Sequence, residues 1–283
     1  MLSLLGRLLS IRYFHHPILV TGSSRAGTSV LLQALGEHPL IYSMTGEAPF
    51  LTSIGGAAWL FHFSESRGYY RRSLRYPEAY LHDTLRRMGF EYAAGRDYGV
   101  RSSLRRLAHM DFSPLKKRYW CAKTFPDEKV CRGLKRLYPT LRIVCIVRNG
   151  FDVVHSMTRF GHFRDESFED LCRRWLRSAA RSSVFSRLPY ASVVRHETMV
   201  RDPQAFFSEL FRFLDIDPHE SLVRFVRHNL VHPLDQPGKT GVDARKELRN
   251  RPPAYAGWSM YQRETFKRVC GEKMLEIGYE LPL

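Results

Sequence analysis

Residues 19–35 read LVTGSSRAGTSVLLQAL, an apolar run that is interrupted by a turn of Gly, Ser and Thr and then resumes as a second apolar run. This pattern predicts a buried strand, a tight turn and a helix. Such a turn directs several backbone N–H groups and a helix N-terminus at one point, which is how proteins bind phosphate groups. The stretch therefore predicts a phosphate-binding strand–turn–helix unit.

The turn has the spacing of a nucleotide-binding P-loop but lacks its lysine. Gly22 and Gly27 stand at the two glycine positions, and Ser29 stands at the hydroxyl position. Thr28 replaces the lysine, and Arg25 lies inside the turn instead. We therefore predict a cationic site for a phosphorylated ligand, used for something other than ordinary ATP chemistry.

Short apolar segments alternate with helical stretches along the rest of the chain. Strands are predicted at residues 17–21, 41–44, 119–123, 141–147 and 191–195, and helices at residues 29–37, 127–138, 152–159, 167–187 and 203–214. This alternation is typical of a doubly wound sheet. We predict one α/β domain over residues 1–283, a P-loop-like three-layer fold with a central parallel sheet of about five strands flanked by helices. Ligands of such sheets bind at the carboxyl ends of the strands.

The composition indicates a folded, strongly basic protein. Hydrophobic residues make up 44% of the chain, which supports a sizeable core and excludes global disorder. The 44 Lys and Arg against 28 Asp and Glu give a formal net charge of +16. That charge suits an anionic ligand, an acidic acceptor, nucleic acid or an anionic membrane surface without choosing among them. Five cysteines without C-x-x-C spacing indicate a reducing compartment, and we expect neither a disulfide framework nor a metal site.

Three segments fall outside the alternation. Residues 1–14 are apolar but too short to span a bilayer, so we expect a docking helix, or weak membrane-surface contact, in a cytoplasmic protein. Residues 52–114 are rich in Arg and Tyr, and form either a solvated basic helical face or a helical insertion that covers the acceptor side. Residues 232–258 are long for a structureless loop, which favours a functional role such as closing over a ligand.

A second candidate anion site follows the predicted strand at 141–147. Arg148 precedes Asn149-Gly150 and a predicted helix that carries Ser156 and Arg159 on one face. The first N–H groups of that helix are free, and Arg148 adds a permanent positive charge. A P-loop kinase or ATPase commonly has an Asp at a strand end to hold magnesium, whereas Arg148 follows this strand. We predict a ligand phosphorylated at both ends and bound without a metal; the alternative is a capped helix with exposed polar residues.

These segments together resemble the sulfotransferases that use 3′-phosphoadenosine 5′-phosphosulfate (PAPS). The 24–29 turn resembles their 5′-phosphosulfate loop, and Arg148 with Ser156 resembles their 3′-phosphate site. Residues 195–203 (RHETMVRDP) and Gly257-Trp258, followed by residues 277–279 (IGY), resemble later segments of the family in the same order. The resemblance implies PAPS as donor and adenosine 3′,5′-bisphosphate (PAP) as product. It also implies donor contacts from Ser24, Arg25, Ala26, Gly27, Thr28, Ser29, Arg148, Ser156, Arg159, Arg251 and Gly257.

Within that family the chain is most similar to the branch of tyrosylprotein sulfotransferases and their bacterial relatives. The similarity rests on His38-Pro39, Gly46-Glu47 and residues 154–157 (VHSM). It implies that Glu47 is the general base that takes the proton from an acceptor hydroxyl. Cytosolic small-molecule sulfotransferases instead use a His two residues after a Lys, and here Phe125 stands two residues after Lys123. This difference favours Glu47, while Lys123 and Arg25 are expected to stabilise developing negative charge.

The predicted activity is sulfuryl transfer to a hydroxyl of an acceptor, such as a tyrosine of an acidic peptide, a saccharide or a glycolipid. A nucleotide-dependent kinase is one alternative, favoured by the Gly22–Gly27 spacing and opposed by the missing lysine. A non-catalytic nucleic-acid-binding protein is another, but it explains neither phosphate turn, and we expect no nucleic-acid partner. His196 is expected to be structural. The basic residues before Gly257 either close over the 3′-phosphate or form a solvated loop; they are Lys239, Arg245, Arg249 and Arg251.

Overall fold

A computed structural model describes residues 16–65, 67–68, 78–97, 117–229 and 253–282 of the chain. Several predictions lie outside the described residues, namely those for residues 1–14 and for Lys239, Arg245, Arg249 and Arg251. The two segments predicted to cover the acceptor or to close over the ligand, 52–114 and 232–258, are each described only in part.

Five strands form one parallel sheet flanked by helices, as the sequence predicted. They hydrogen-bond in the order β2-β3-β1-β4-β5. The register pairs Pro17 with Trp120 and Val20 with Lys123. The strands are β1 (Pro17–Gly22), β2 (Ile41–Glu47), β3 (Tyr119–Lys123), β4 (Arg142–Val147) and β5 (Ala191–Arg195).

Ten helices and two short 3-10 turns accompany the strands in the described part of the chain. The helices are α1 (Thr28–Gly36), α2 (Phe50–Phe63), α3 (Glu78–Asp97), α4 (Glu128–Leu137), α5 (Gly150–Thr158), α6 (Phe168–Phe185), α7 (His196–Arg201), α8 (Pro203–Leu214), α9 (Glu220–His228) and α10 (Met260–Glu276); the 3-10 turns are Gly161–Phe163 and Ala254–Gly257. Helix α5 begins two residues earlier than predicted because the Asn149 side chain accepts the Phe151 N–H and caps it.

The chain divides into two compact units, the first of which comprises residues up to Val20 and residues 35–143. Its core is formed around β3 and α4, where Trp120 and Tyr138 pack edge to face with ring centroids 6.0 Å apart. Helices α2 and α4 cross with their backbones in contact, because a Cβ atom built on Gly133 would lie 1.9 Å from the carbonyl oxygen of Gly55. Within the 52–114 segment, the structure describes helices α2 and α3, so this part is helical as predicted.

The second unit comprises residues 21–34 and 144–283. An aromatic core supports α5 in this unit. Phe151 stacks on Phe266 with ring centroids 4.3 Å apart, and the buried Trp258 packs against both rings. This core fixes the start of α5, the helix that carries the second predicted phosphate site.

The cysteines lie in the core as free thiols. Burial raises the pKa of Cys145 to about 12, so this thiol is protonated and unreactive at neutral pH. In the described ranges, no helix is both long and apolar enough to cross a bilayer.

The close crossing of α2 and α4 yields a stability prediction. We expect Gly133→Ala to lower the free energy of unfolding by about 1–3 kcal/mol or more, because its methyl group overlaps the Gly55 carbonyl. The matched control is Gly56→Ala, in the same helix as Gly55, where an added Cβ has no atom within 4 Å. That control should stabilise by up to about 1 kcal/mol through helix propensity. Urea unfolding monitored by circular dichroism measures both, and equal effects of the two substitutions would contradict the crossing.

Candidate functional site

The turn after β1 folds into a concave backbone loop within the second unit. The Ala26 N–H donates to the Ser23 carbonyl across 3.1 Å, and α1 begins at Thr28. Arg25 and Gly27 both have left-handed backbones, with φ of 65° and 93°. Successive N–H groups in such a conformation converge on one point and form an anion-binding nest. The loop thus has the geometry that its sequence predicted.

The predicted donor-binding residues of this loop differ in their exposure. Ala26 and Thr28 are buried, whereas Ser24, Gly27 and Ser29 are partly accessible. The buried positions fix the loop, so contacts to a ligand fall to the accessible side chains and to the backbone N–H groups.

Only glycine fits at position 27, because its backbone is left-handed and the ring of His196 leaves no space for a side chain. A Cβ atom at Gly27 would lie 2.6 Å from Cδ2 of His196. Burial and the positive charge of Arg148 lower the pKa of His196 well below its usual value, so the ring is neutral. The buried ring of His196 therefore packs directly against the loop at Gly27.

Arg148 connects the loop to the start of α5. Its Nη1 donates to the Arg25 carbonyl at 3.2 Å, and its Nη2 lies 3.5 Å from Oδ2 of Asp152. These contacts use the two terminal nitrogens of the guanidinium, and the first holds the left-handed Arg25 backbone in place. A permanently charged group is thereby fixed beside the nest.

The peptide bond between Arg148 and Asn149 is held by the side chains of Trp175 and Glu197, and Glu197 is held in turn by Tyr279. Trp175 Nε1 donates to the Arg148 carbonyl at 3.2 Å, and the Asn149 N–H donates to Glu197 Oε1 at 2.8 Å. The Tyr279 hydroxyl donates to Glu197 Oε2 at 2.9 Å. Burial and the charge of Glu197 raise the pKa of Tyr279, so the hydroxyl keeps its proton and remains a donor. The sequence comparison placed Glu197 and Tyr279 in family-like segments but did not reveal this bridge.

The two predicted phosphate sites share a direct contact. Arg25 Nε donates to the Ser156 hydroxyl at 2.9 Å, and the Arg25 guanidinium carbon lies 4.5 Å from the centroid of the Phe160 ring. Arg25 belongs to the first predicted site and Ser156 to the second. The sequence treated these sites as separate, whereas their side chains meet in the folded unit.

Two other predicted donor contacts lie close to α5. The sequence predicted Arg159 as the last residue of this helix, whereas α5 ends at Thr158 and Arg159 is the residue after it. It lines a cavity of about 360 Å³ together with Phe160, Arg164 and Glu166. Gly257 ends a 3-10 turn whose neighbour Trp258 is anchored in the aromatic core on α5. Arg251 falls outside the described residues.

Two buried polar atoms test whether an anion fits this unit. Ser23 Oγ and Arg148 Nε are buried and have no hydrogen-bond partner among the residues that the structure describes. Leaving buried donors without a partner costs on the order of 1–3 kcal/mol each, more for a charged group. Both atoms belong to the residues that form the loop and its support. A phosphate oxygen is the kind of acceptor that would satisfy them.

Glu47 and Lys123 form the candidate catalytic pair of the first unit. Lys123 Nζ lies 3.5 Å from Glu47 Oε1, and the backbone N–H of Ala48 donates to the Lys123 carbonyl at 2.8 Å. The register of β2 on β3 is irregular here, because Ser43 pairs with Cys121 but Glu47 pairs with Lys123. This irregularity brings the carboxylate to the end of β3.

The two members of the pair differ in exposure. The Glu47 side chain is 59% exposed, whereas that of Lys123 is 13% exposed. An incoming substrate can therefore reach the carboxylate while the ammonium group stays beside it. His38, at the opposite end of β2, is buried and caps the turn before the strand, since its Nδ1 accepts the Leu40 N–H at 3.1 Å. We assign His38 a structural role.

Known proteins support the fold independently. Its TM-score is 0.55 with the sulfotransferase domain of the Synechococcus PCC 7002 olefin synthase, at 16% identity and covering 94% of this chain and 96% of that one. The TM-score with a sulfotransferase domain of the curacin biosynthetic pathway is 0.57 at 15% identity, and the alignment covers 94% of this chain and 99% of that one. The TM-score with mouse sulfotransferase SULT7A1, solved with PAP, is 0.51 at 14% identity, and the alignment covers 92% of this chain and 85% of that one. A search of curated protein sequences gave no match.

A sequence model described as the sulfotransferase family matches residues 17–220. The match includes the nest after β1, Glu47, Lys123, and the segment around Arg148 and Glu197. It spans well over half of the 283 residues. The chain therefore belongs to the sulfotransferase family.

Proposed function

We propose that this protein transfers a sulfuryl group from PAPS to a hydroxyl group of an acceptor. The observation that carries the proposal is the arrangement around Arg148, whose guanidinium is fixed beside the loop with Nε buried and without a partner among the described residues. Membership of the sulfotransferase family and the shared fold of the PAP-bound mouse enzyme support it.

The donor-binding roles divide between the two ends of the ligand. At the 5′ end, we assign the loop N–H groups of Gly27, Thr28 and Ser29, together with the side chain of Arg25. At the 3′-phosphate, we assign Arg148 and Ser156, supplemented by Arg159 and, from the segment before Gly257, by Arg251. Because Ser156 already accepts from Arg25, its hydroxyl proton is free to be donated to a phosphate oxygen.

PAPS supplies an activated sulfuryl group whose departure leaves negative charge on a phosphate. Arg25 and Lys123 carry positive charge that stabilises such an oxygen, and the loop N–H groups add oriented dipoles. Fixed cations of this kind do not require magnesium, so we infer that transfer is metal-independent.

Glu47 is assigned as the general base. Its exposed carboxylate can accept a hydrogen bond from an acceptor hydroxyl and take its proton as that oxygen becomes bonded to sulfur. Lys123, 3.5 Å away, keeps the carboxylate oriented. The hydroxyl groups of tyrosine side chains, sugars and glycolipids can all donate a hydrogen bond to this carboxylate.

The acceptor class that we favour is anionic. The net charge of +16 attracts acidic peptides, acidic saccharides or negatively charged glycolipid head groups to the protein. We infer that the enzyme acts in the cytoplasm and on such an acceptor. A transfer screen with radiolabelled PAPS across tyrosine peptides, glycans and lipids identifies it.

Donor binding tests the first half of the proposal. We expect PAP to raise the melting temperature without magnesium, because ligand binding stabilises the folded state. Arg148→Ala should raise the Kd for PAP at least tenfold, since a charge-assisted hydrogen bond contributes about 1.5–3 kcal/mol. The control is Arg181→Ala, an exposed position on α6, which should bind PAP normally. Stabilisation by Mg-ATP and not by PAP would instead indicate a kinase.

The base assignment is tested by Glu47→Gln, which keeps the shape of the side chain and removes its proton-accepting charge. We expect kcat for the acceptor found in the screen to fall on the order of 100-fold, while the Kd for PAP changes less than twofold. Glu272→Gln, an exposed position on α10, is the matched control and should retain full turnover. Near-normal kcat in Glu47→Gln, measured by transfer of labelled sulfate, would remove Glu47 from the mechanism.

A further inference from the structure

A cluster of two histidines and a glutamate lies in the first unit, apart from the residues assigned to transfer. His62 is in the last turn of α2, and Glu78 and His82 are one turn apart at the start of α3. The two Nε2 atoms are 2.7 Å apart, and Glu78 Oε1 is 3.9 Å from each of them. His62 and His82 are largely shielded, with side chains 3% and 13% exposed.

The distances within the cluster match the size of a small transition-metal ion. A triangle with sides of 2.7, 3.9 and 3.9 Å has its equidistant point about 2.1 Å from each corner. Zinc bonds to histidine nitrogen and carboxylate oxygen are about 2.0–2.2 Å long. Around a tetrahedral ion, such ligand atoms are about 3.3 Å apart, a value that lies between the measured separations. A small increase in the distance between the two Nε2 atoms would therefore bring all three ligand atoms within bonding distance of one ion.

The protonation states also suit a metal ligand set. Burial lowers the pKa of His82, and the nearby His62 lowers it further because two protonated rings would repel each other; Arg86 and Arg136 act in the same direction, and Glu78 opposes them. Neutral imidazole is the form that binds metals. Burial raises the pKa of the Glu78 carboxyl, but its hydrogen bond with Arg136 and the nearby positive charges outweigh this and lower it overall. Arg136 Nη2 donates to the same Glu78 Oε1 at 2.5 Å, so Arg136 holds an ionised carboxylate whose Oε1 would use a second lone pair for the ion.

We propose that His62, Glu78 and His82 bind one Zn²⁺ or chemically similar transition-metal ion, with water as the fourth ligand. The ion would join the end of α2 to the start of α3 and so fix the first described helix beyond residue 68. This is a structural site that goes beyond the proposed transfer and takes no part in it. Imidazole ligands favour Zn²⁺, Co²⁺ and Ni²⁺ over Mg²⁺ and Ca²⁺.

Metal binding would replace the hydrogen bond between the two rings. At 2.7 Å, one Nε2 carries the proton and the other accepts it. A metal ion needs the lone pairs of both Nε2 atoms, so the donor ring shifts to the tautomer that carries its proton on Nδ1, and both rings stay neutral.

The experiment uses the full chain after removal of metals with a chelator and dialysis. Titration with Zn²⁺ should show one tight site per chain, and Co²⁺ should give the visible absorption bands of a tetrahedral complex. Bound Zn²⁺ should raise the melting temperature, whereas Mg²⁺ should leave it unchanged.

Two substitutions distinguish the cluster from other histidines. His82→Gln and Glu78→Gln should each weaken Zn²⁺ binding at least tenfold and remove the cobalt bands, whereas the control His228→Gln, exposed on α9, should bind normally. His82 and Glu78 are substituted instead of His62 because they are less buried, so the variants are more easily tolerated. The melting temperature of each metal-free variant verifies that it folds. Absence of Zn²⁺ binding by the unmodified chain, or binding unchanged in both variants, would leave only a hydrogen-bonded histidine pair and overturn the proposal.

Discussion

The proposed donor site depends on the position of one guanidinium group. Arg148 Nη1 is hydrogen-bonded to the Arg25 carbonyl and Nη2 lies beside Asp152, so these two contacts hold its charge next to the loop. The Asn149 N–H is bonded to Glu197, which in turn accepts from Tyr279. Residues far apart in the sequence thus restrain one short segment. This preorganisation is what allows a cation to stabilise a phosphate without rearrangement.

The same constraint places positive charge beside a loop that lacks the P-loop lysine. In the sequence, Thr28 occupies the lysine position, and the positive charge comes from Arg25 and Arg148 instead. Arg25 contacts Ser156 and the Phe160 ring, so the charge is spread over residues that belong to both predicted phosphate sites. An arginine carries its charge at any physiological pH and offers several donors in a plane, which suits two phosphate groups on one nucleotide.

The first unit shows how irregular pairing can position a functional group. The extra residues in β2, including Gly46 with φ of 70°, bring Glu47 opposite Lys123 at the end of β3. A regular strand would have paired Lys123 with an earlier residue of β2. Bulges near strand ends often redirect a side chain in this way. The same unit places His62 beside Glu78 and His82, a second polar cluster with different chemistry.

The sequence by itself determined the alternation of strands and helices, the nest after β1 and the family, since these follow from local periodicity and from motifs that are continuous in the chain. It also identified Glu47, Lys123, Arg148 and Ser156 as candidates. Only the tertiary structure decided which of them meet. The contact of Arg25 with Ser156, the Glu197 bridge and the His62 cluster join residues from separate segments, and local propensity carries no information on such distances.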